Sequence, residues 1–255
     1  LKRALHSGLA SGVVPSSFRV LRQLLDRVED SASGEVRLAG LYAEIPEDHA
    51  RAAEELAKEF GDIAENEFPT VPGLRLMGDS AADRWLRTTW FPALSVIGMG
   101  GIPSPDIAGN VLRTSTTAVL SMRLPPPVNS VTAAQDLLDA LSTDPPEGAR
   151  VTATLDSHGD GFVAPPTAPW LAEALETASQ SAFGRSPGFV GEGGSIPFLA
   201  ELGRRYPGVQ IVATGVLGPG SNAHGIDEMI DLPTMVKVTN AVASIVAAHG
   251  RSSAK

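Results

Sequence analysis

Two periods of hydrophobic residues divide the chain into elements. From about Ser17, Phe18, Leu21, Leu24, Leu25 and Val28 recur at helical spacing. A more polar helix is predicted from Glu47 to Phe60, with Ala53, Leu56, Ala57 and Phe60 inward. Another is predicted from Asp79 to Arg87, capped by Asp79 or Ser80. The period then changes. Leu94-Ser95-Val96 opens a β-rich section and leads into a Gly-Pro loop over Gly98 to Pro105, and from Ala118 the alternation is strict. Ala118, Leu120, Met122 and Leu124 face one way, and Val119, Ser121 and Arg123 the other. Pro125-Pro126-Pro127 ends that strand, because proline has no N–H to give to a ladder. Val131 to Leu141 reads as a helix, Val151 to Leu155 as an alternating strand, and residues 35–42 as a short strand.

Gly and Pro then crowd the stretch from Asp156 to Pro169, which places a domain boundary between residues 1–160 and 161–255. Thr167 is expected to cap a helix that has Pro169 in its first turn, Leu171, Leu175, Ala178 and Ala182 as its stripe, and Gly184 as its stop. Pro197 starts a helix with Phe198, Leu199 and Leu202. Val209 to Ala213 reads as a buried strand. The last helix runs from about Leu232, capped by Asp231, with Met235, Val238, Val242, Ile245 and His249 along one side. The expected fold class is α/β overall: a two-layer α+β domain, then half of an α/β domain. So few strands do not cover that many helices, so the missing strands are expected from elsewhere. The chain also begins Leu1-Lys2-Arg3, without an initiator Met, and is read as part of a longer protein.

Composition narrows the chemistry. The 255 residues are 43% hydrophobic, enough for a sizeable core, and the formal net charge of −9 argues against a nucleic-acid partner. No apolar run approaches the length of a membrane span. There is no Cys, so any metal must be held by His and carboxylates. The absence of Cys also fits a cytoplasmic protein.

The candidate residues lie on loops and strand ends. His224 follows the Val209 strand in a Gly-Pro-Gly-Ser-Asn-Ala-His loop. Ser195 is no elbow nucleophile, because Pro197 stands where Gly-x-Ser-x-Gly needs its last Gly. Gly194 and Ser195 precede a helix instead, where backbone N–H groups favour an anion; a plain cap is the alternative. Gly191-Glu192-Gly193-Gly194 and Gly98-Met99-Gly100-Gly101 both miss the glycine spacing of a nucleotide loop. Asp156, His158 and Asp160 share a face if extended, yet read better as a solvated turn than as a metal cluster. Arg123 is a surface or ion-pair residue, or else a planar fork for a carboxylate.

Several short motifs together resemble one family: Leu5-His6-Ser7-Gly8, Ser121-Met122-Arg123-Leu124-Pro125, His158-Gly159, Glu192-Gly193-Gly194-Ser195-Ile196-Pro197, and Ser221-Asn222-Ala223-His224. In this order they resemble the zinc dipeptidases related to carnosinase, with the succinyl-diaminopimelate desuccinylases and aminoacylases as relatives. The resemblance implies a two-zinc site, with manganese or cobalt as possible substitutes, in an α/β catalytic domain. It also implies an inserted lid domain that forms a homodimer. A metal-bridging water attacks a peptide or amide carbonyl, with a Glu as base. His224 then matches a metal ligand. His6 matches a lid His that stabilises the oxyanion in the partner subunit's site. Asn110, Arg123 and His158 match substrate-binding residues, and Gly194 and Ser195 match the contact to the substrate carboxylate.

The sequence also departs from the family. Gly191 stands where carnosinase-like members tend to carry Arg, some relatives carry Thr in place of Asn110, and Gly225-Ile226-Asp227 follows His224. The other ligands of the family, among them a His-x-Asp pair and a Glu-Glu pair, belong upstream of the His6 motif. The chain is read as holding no His-x-Asp pair, and Glu54-Glu55 follows the His6 motif in mid-helix. The expectation is a lid domain lacking its start, over 1–160, followed by the C-terminal part of a catalytic domain, over 161–255. Such a chain is expected to be inactive by itself. The alternatives are a non-catalytic dimerising or small-anion-binding protein and, on weaker grounds, a nucleotide-binding enzyme.

Overall fold

The computed structural model describes residues 1–63, 68, 70–191, 197–216, 220–223 and 225–252. Among them the elements follow in the order β1 (Leu5–His6), α1 (Ser7–Ala10), α2 (Ser17–Val28), α3 (Glu47–Phe60), α4 (Ala81–Arg87), β2 (Ala93–Gly100), β3 (Val111–Leu112), β4 (Thr117–Arg123), α5 (Ser130–Ser142), α6 (Pro169–Phe183), α7 (Pro197–Arg205) and α8 (Leu232–Ser252). This is the mixed helix and strand architecture expected.

Four of the helices begin where a short polar side chain accepts a backbone N–H. Ser16 accepts from Arg19, Ser80 from Asp83, Asn129 from Thr132, and Asp231 from Thr234. Gly184 ends α6 in the left-handed region at φ 73°, as its position predicts. Thr167 does not cap α6. Ala168 is the N-cap, without a side-chain bond, and Pro169 alone sets the first turn. The inner face of α2 also differs by a fraction of a turn. Val20, Leu24 and Val28 are buried, whereas Phe18 is exposed. On α3 the buried residues are Ala53 and Leu56, and Phe60 is exposed, with the Arg185 guanidinium 5.9 Å from its ring centroid.

β2 and β4 pair antiparallel, from Ala93 opposite Arg123 to Gly100 opposite Thr117, with a bulge between Val96 and Gly98, so Gly98 to Gly100, expected in a loop, continue the strand because β4 offers them a partner. Met122 and Leu124 pack against Leu41, which is fully buried with Val36 and Ala133 of α5. Leu38 and Val128 close the same cluster. Sheet and helix thus form two layers around Leu41. Arg27 on α2 ties the layers together: its guanidinium donates to the carbonyls of Thr143 and Asp144, both at 2.6 Å, just past the end of α5. A cation suits the negative end of that helix.

Three predicted strands form no ladder. Residues 35–42 contribute only a bridge from Val36 to Glu29 and a short 3-10 turn at Ala39–Leu41. Val151 to Leu155 and Val209 to Ala213 pair with no strand among the described residues. Alternation marks a face to bury, but a strand exists only where a neighbour offers hydrogen bonds. The small β1–β3 pair, in contrast, has no periodic signal because each strand is only two residues long. In the C-terminal part α6 lies along α8. Among the described residues no helix is long and apolar enough to cross a membrane.

Candidate functional site

The β1–β3 pair sets the first group of candidates. His6 lies opposite Val111, and the Ser7 N–H donates to the Asn110 carbonyl at 2.9 Å, so His6 and Asn110 are neighbours across the pair. Both are exposed. The His6 ring folds back over Gly8, where a Cβ would stand 3.0 Å from its Cε1 and 3.2 Å from its Nδ1. Glycine at position 8 therefore leaves room for the imidazole.

Arg123 closes β4 opposite Ala93 and is exposed. Among the described residues no carboxylate pairs with it, so its planar fork is open to a ligand anion. The strand then turns at Pro125, and the next segment is pinned by Gly161. A Cβ on Gly161 would stand 2.5 Å from the Pro126 Cα and 2.8 Å from its carbonyl oxygen. That close approach lays the loop carrying His158 and Asp160 against the connection between β4 and α5.

His158 is anchored there. Its Nδ1 lies 3.0 Å from the Ser130 Oγ. The Ser130 hydroxyl donates to Asp160 Oδ1 at 2.7 Å, and the Ser130 N–H donates to the same oxygen at 2.9 Å. These two bonds, the backbone one first, hold the Asp160 carboxyl below the usual carboxylate range. Ser130 is 3% exposed. Sequence reasoning missed it, because its partners are about thirty positions downstream and nothing local to Ser130 signals them. The expectation of no His-x-Asp pair is wrong as to sequence: His158-Gly159-Asp160 has that spacing, but it stands downstream of the His6 motif and both side chains close on Ser130.

Beyond Asp160 the chain borders a cleft of about 370 Å³ whose walls include Phe162, Arg204 and Tyr206. The Phe162 ring packs on Gly203 of α7, where a Cβ would stand 2.9 Å from it. Gly191 also sits tightly. A Cβ there would come within 2.7 Å of the Thr89 Cγ2, so the space an arginine would need at this position is filled by Thr89. Gly194 and Ser195 lie outside the described residues, as does His224. The loop on either side of position 224 is closely held: the Asn222 side-chain amide donates to the Ile226 carbonyl at 2.6 Å, and the Met229 N–H to the Ser221 carbonyl at 3.0 Å. Among the described residues no group of three His, Asp or Glu side chains is placed to hold a metal ion, so they do not by themselves fit one. Nor does any hydrogen bond or ion pair join the His6–Asn110 pair to Arg123 or His158 among those residues.

Neither a protein-family model nor a curated protein sequence matches the chain. Solved structures do. The dipeptidase Dug1p from Saccharomyces cerevisiae superposes over 98% of the chain with a TM-score of 0.73 and 22% identity. Human carnosine dipeptidase 1 matches over 97% with a TM-score of 0.70 and 18% identity. The M20 family metallo-carboxypeptidase Sso-CP2 from Sulfolobus solfataricus matches over 95% with a TM-score of 0.68 and 18% identity. The chain spans about half the length of each: 52%, 52% and 54% respectively. Its fold is that of the dipeptidase-like M20 metallopeptidases, over about half of their length.

Proposed function

We propose that this chain is the lid domain and the C-terminal catalytic part of a metal-dependent hydrolase of peptide or amide bonds, acting on dipeptides or N-acyl amino acids. The observation that carries this reading is the match in fold over 98% of the chain to a dipeptidase. The order of the His6, Arg123, His158, Ser195 and His224 motifs along the same chain supports it. Residues 1–160 are the lid, and 161–255 belong to the catalytic domain. The metal is zinc, with manganese or cobalt as substitutes. His224 is its ligand from this chain, and the remaining ligands come from polypeptide outside these residues.

The chain's own contribution is one wall of the site. Arg123, exposed and with no carboxylate partner among the described residues, offers a fork to a substrate carboxylate. Gly194 and Ser195 precede α7, where backbone N–H groups suit the same kind of anion. His158 lines the wall, anchored through Ser130. His6 and Asn110 sit together and make no bond to that wall among the described residues, in keeping with service to a partner subunit's site in a homodimer. The absence of Cys favours the cytoplasm as the compartment.

Zinc titration and a dipeptidase assay test the reading. The 255 residues alone are expected to bind zinc weakly and to turn over nothing, because zinc sites need three or four protein ligands. Tight stoichiometric zinc with turnover would overturn the assignment of ligands to outside polypeptide. Coding sequence upstream of Leu1 is expected to hold the His-x-Asp and Glu-Glu motifs. Their absence there would favour a non-catalytic dimerising or anion-binding protein.

A further inference from the structure

The hydrogen bonds around Ser130 decide the protonation of His158. A serine hydroxyl has one hydrogen to give. At Ser130 that hydrogen goes to Asp160 Oδ1 at 2.7 Å, and an ionised carboxylate can only accept. The Ser130 Oγ can therefore meet His158 Nδ1, 3.0 Å away, only as an acceptor, and Nδ1 must carry the proton. In a neutral imidazole the other nitrogen, Nε2, is then left with its lone pair.

Other features hold this arrangement in place. Ser130 is buried to 3% exposure, so its hydroxyl cannot readily exchange Asp160 for water. The Ser130 N–H bonds the same carboxylate oxygen at 2.9 Å, which prevents the carboxylate from swinging away. Gly161 lies against the Pro126 backbone, which keeps the loop from withdrawing. His158 itself is exposed, so its remaining nitrogen is accessible.

We infer that Ser130 and Asp160 are positioning residues that hold His158 in the Nδ1–H form, offering Nε2 as a hydrogen-bond acceptor to a ligand group that donates, an amide N–H or an ammonium. The ligand half of this inference rests on the hydrolase reading above. The tautomer half does not, and it is measured without metal, substrate or turnover.

The test is long-range proton–nitrogen correlation NMR of the uniformly 15N-labelled chain, at a pH about two units above the ordinary histidine value of about 6.5. The five histidines are few enough for His158→Asn to assign the ring by the signals it removes. In the unaltered chain, the nitrogen coupled to both ring C–H protons, Nε2, should resonate as the unprotonated type and Nδ1 as the protonated type. Ser130→Ala and Asp160→Ala should each shift the ring toward the Nε2–H form. The first removes the acceptor, and the second frees the serine hydrogen to turn toward Nδ1. Asp160→Asn keeps an oxygen that accepts both Ser130 bonds and should preserve the Nδ1–H form. A purely structural role for Asp160 would not separate Asn from Ala in this signal while circular dichroism stays unchanged. An Nε2–H ring in the unaltered chain, or a ring unmoved by both alanine variants, overturns the inference.

Discussion

Asp160 sits at the start of a helix, where backbone N–H groups have no partner within the helix and a negative charge is favoured. Its carboxyl accepts from the Ser130 N–H and hydroxyl, and its pKa is lowered in the folded state. The sign follows directly. A carboxyl with a lower folded pKa adds stability above its unfolded pKa of about 4, and that stability is lost as pH falls through the folded value. Urea midpoints measured from pH 7 down to pH 3 should therefore drop more steeply in the unaltered chain than in Asp160→Asn. Parallel curves would remove this role. At His6 the controlling neighbour is Gly8. A methyl group there meets the imidazole at 3.0 Å, so Gly8→Ala should displace the ring and shift the His6 C–H resonances while the fold is retained. Unchanged resonances would mean that the ring does not lie over Gly8. Gly191 follows the same logic: Thr89 fills the space that an arginine would take.

At the scale of elements, helices and strands differ in how much of them is local. A helix closes its own hydrogen bonds, so periodicity and caps place it. Glu47 to Phe60 is a helix over the predicted span, and Ser80, Asp231 and Gly184 act as their types suggest. A strand depends on a neighbour. The clean alternation of Ala118 to Arg123 became β4 because Ala93 to Gly100 lies beside it; that of Val151 to Leu155 found no such partner among the described residues. The loop after that segment is positioned by Gly161 against backbone atoms of Pro126, which cannot rotate out of the way. Gly161→Ala should cost about 1–3 kcal/mol in urea unfolding, as overpacking generally does, and should loosen the Ser130–His158 contact. A stability change under a few tenths of a kcal/mol would mean that the close approach is not maintained.

At the scale of the whole molecule, the two layers meet at Leu41, fully buried among Val36, Ala133, Met122 and Leu124. Leu41→Ala should lower stability by about 2–5 kcal/mol, the usual cost of such a cavity. A much smaller loss would show that the layers close over the gap. The β2–β4 pair remains open on both faces: Ile97 is 66% exposed and Val119 52%, and Val96 and Met99, opposite Leu120 and Ala118, are also exposed. Apolar exposure of this extent on a pair of strands suits an association surface. It fits the homodimer proposed for the lid. Sedimentation should find a dimer that Ile97→Asp with Val119→Asp converts to monomer. A dimer that persists in the double variant would place the interface elsewhere.

Alternation, 3.6-residue periodicity and turn chemistry were enough to place the longer helices, the main strand and the mixed class, because those signals act between near neighbours; the four-residue helix Ser7–Ala10 is too short to carry a period. The short motifs added a resemblance that the fold bears out across 98% of the chain at 22% identity. Tertiary structure alone decided which alternating segments became strands, since pairing needs a partner distant in sequence. It also set His6 beside Asn110 and joined Ser130 to Asp160 and His158. Each of those contacts spans tens of residues, and their geometry exists only once the layers have packed.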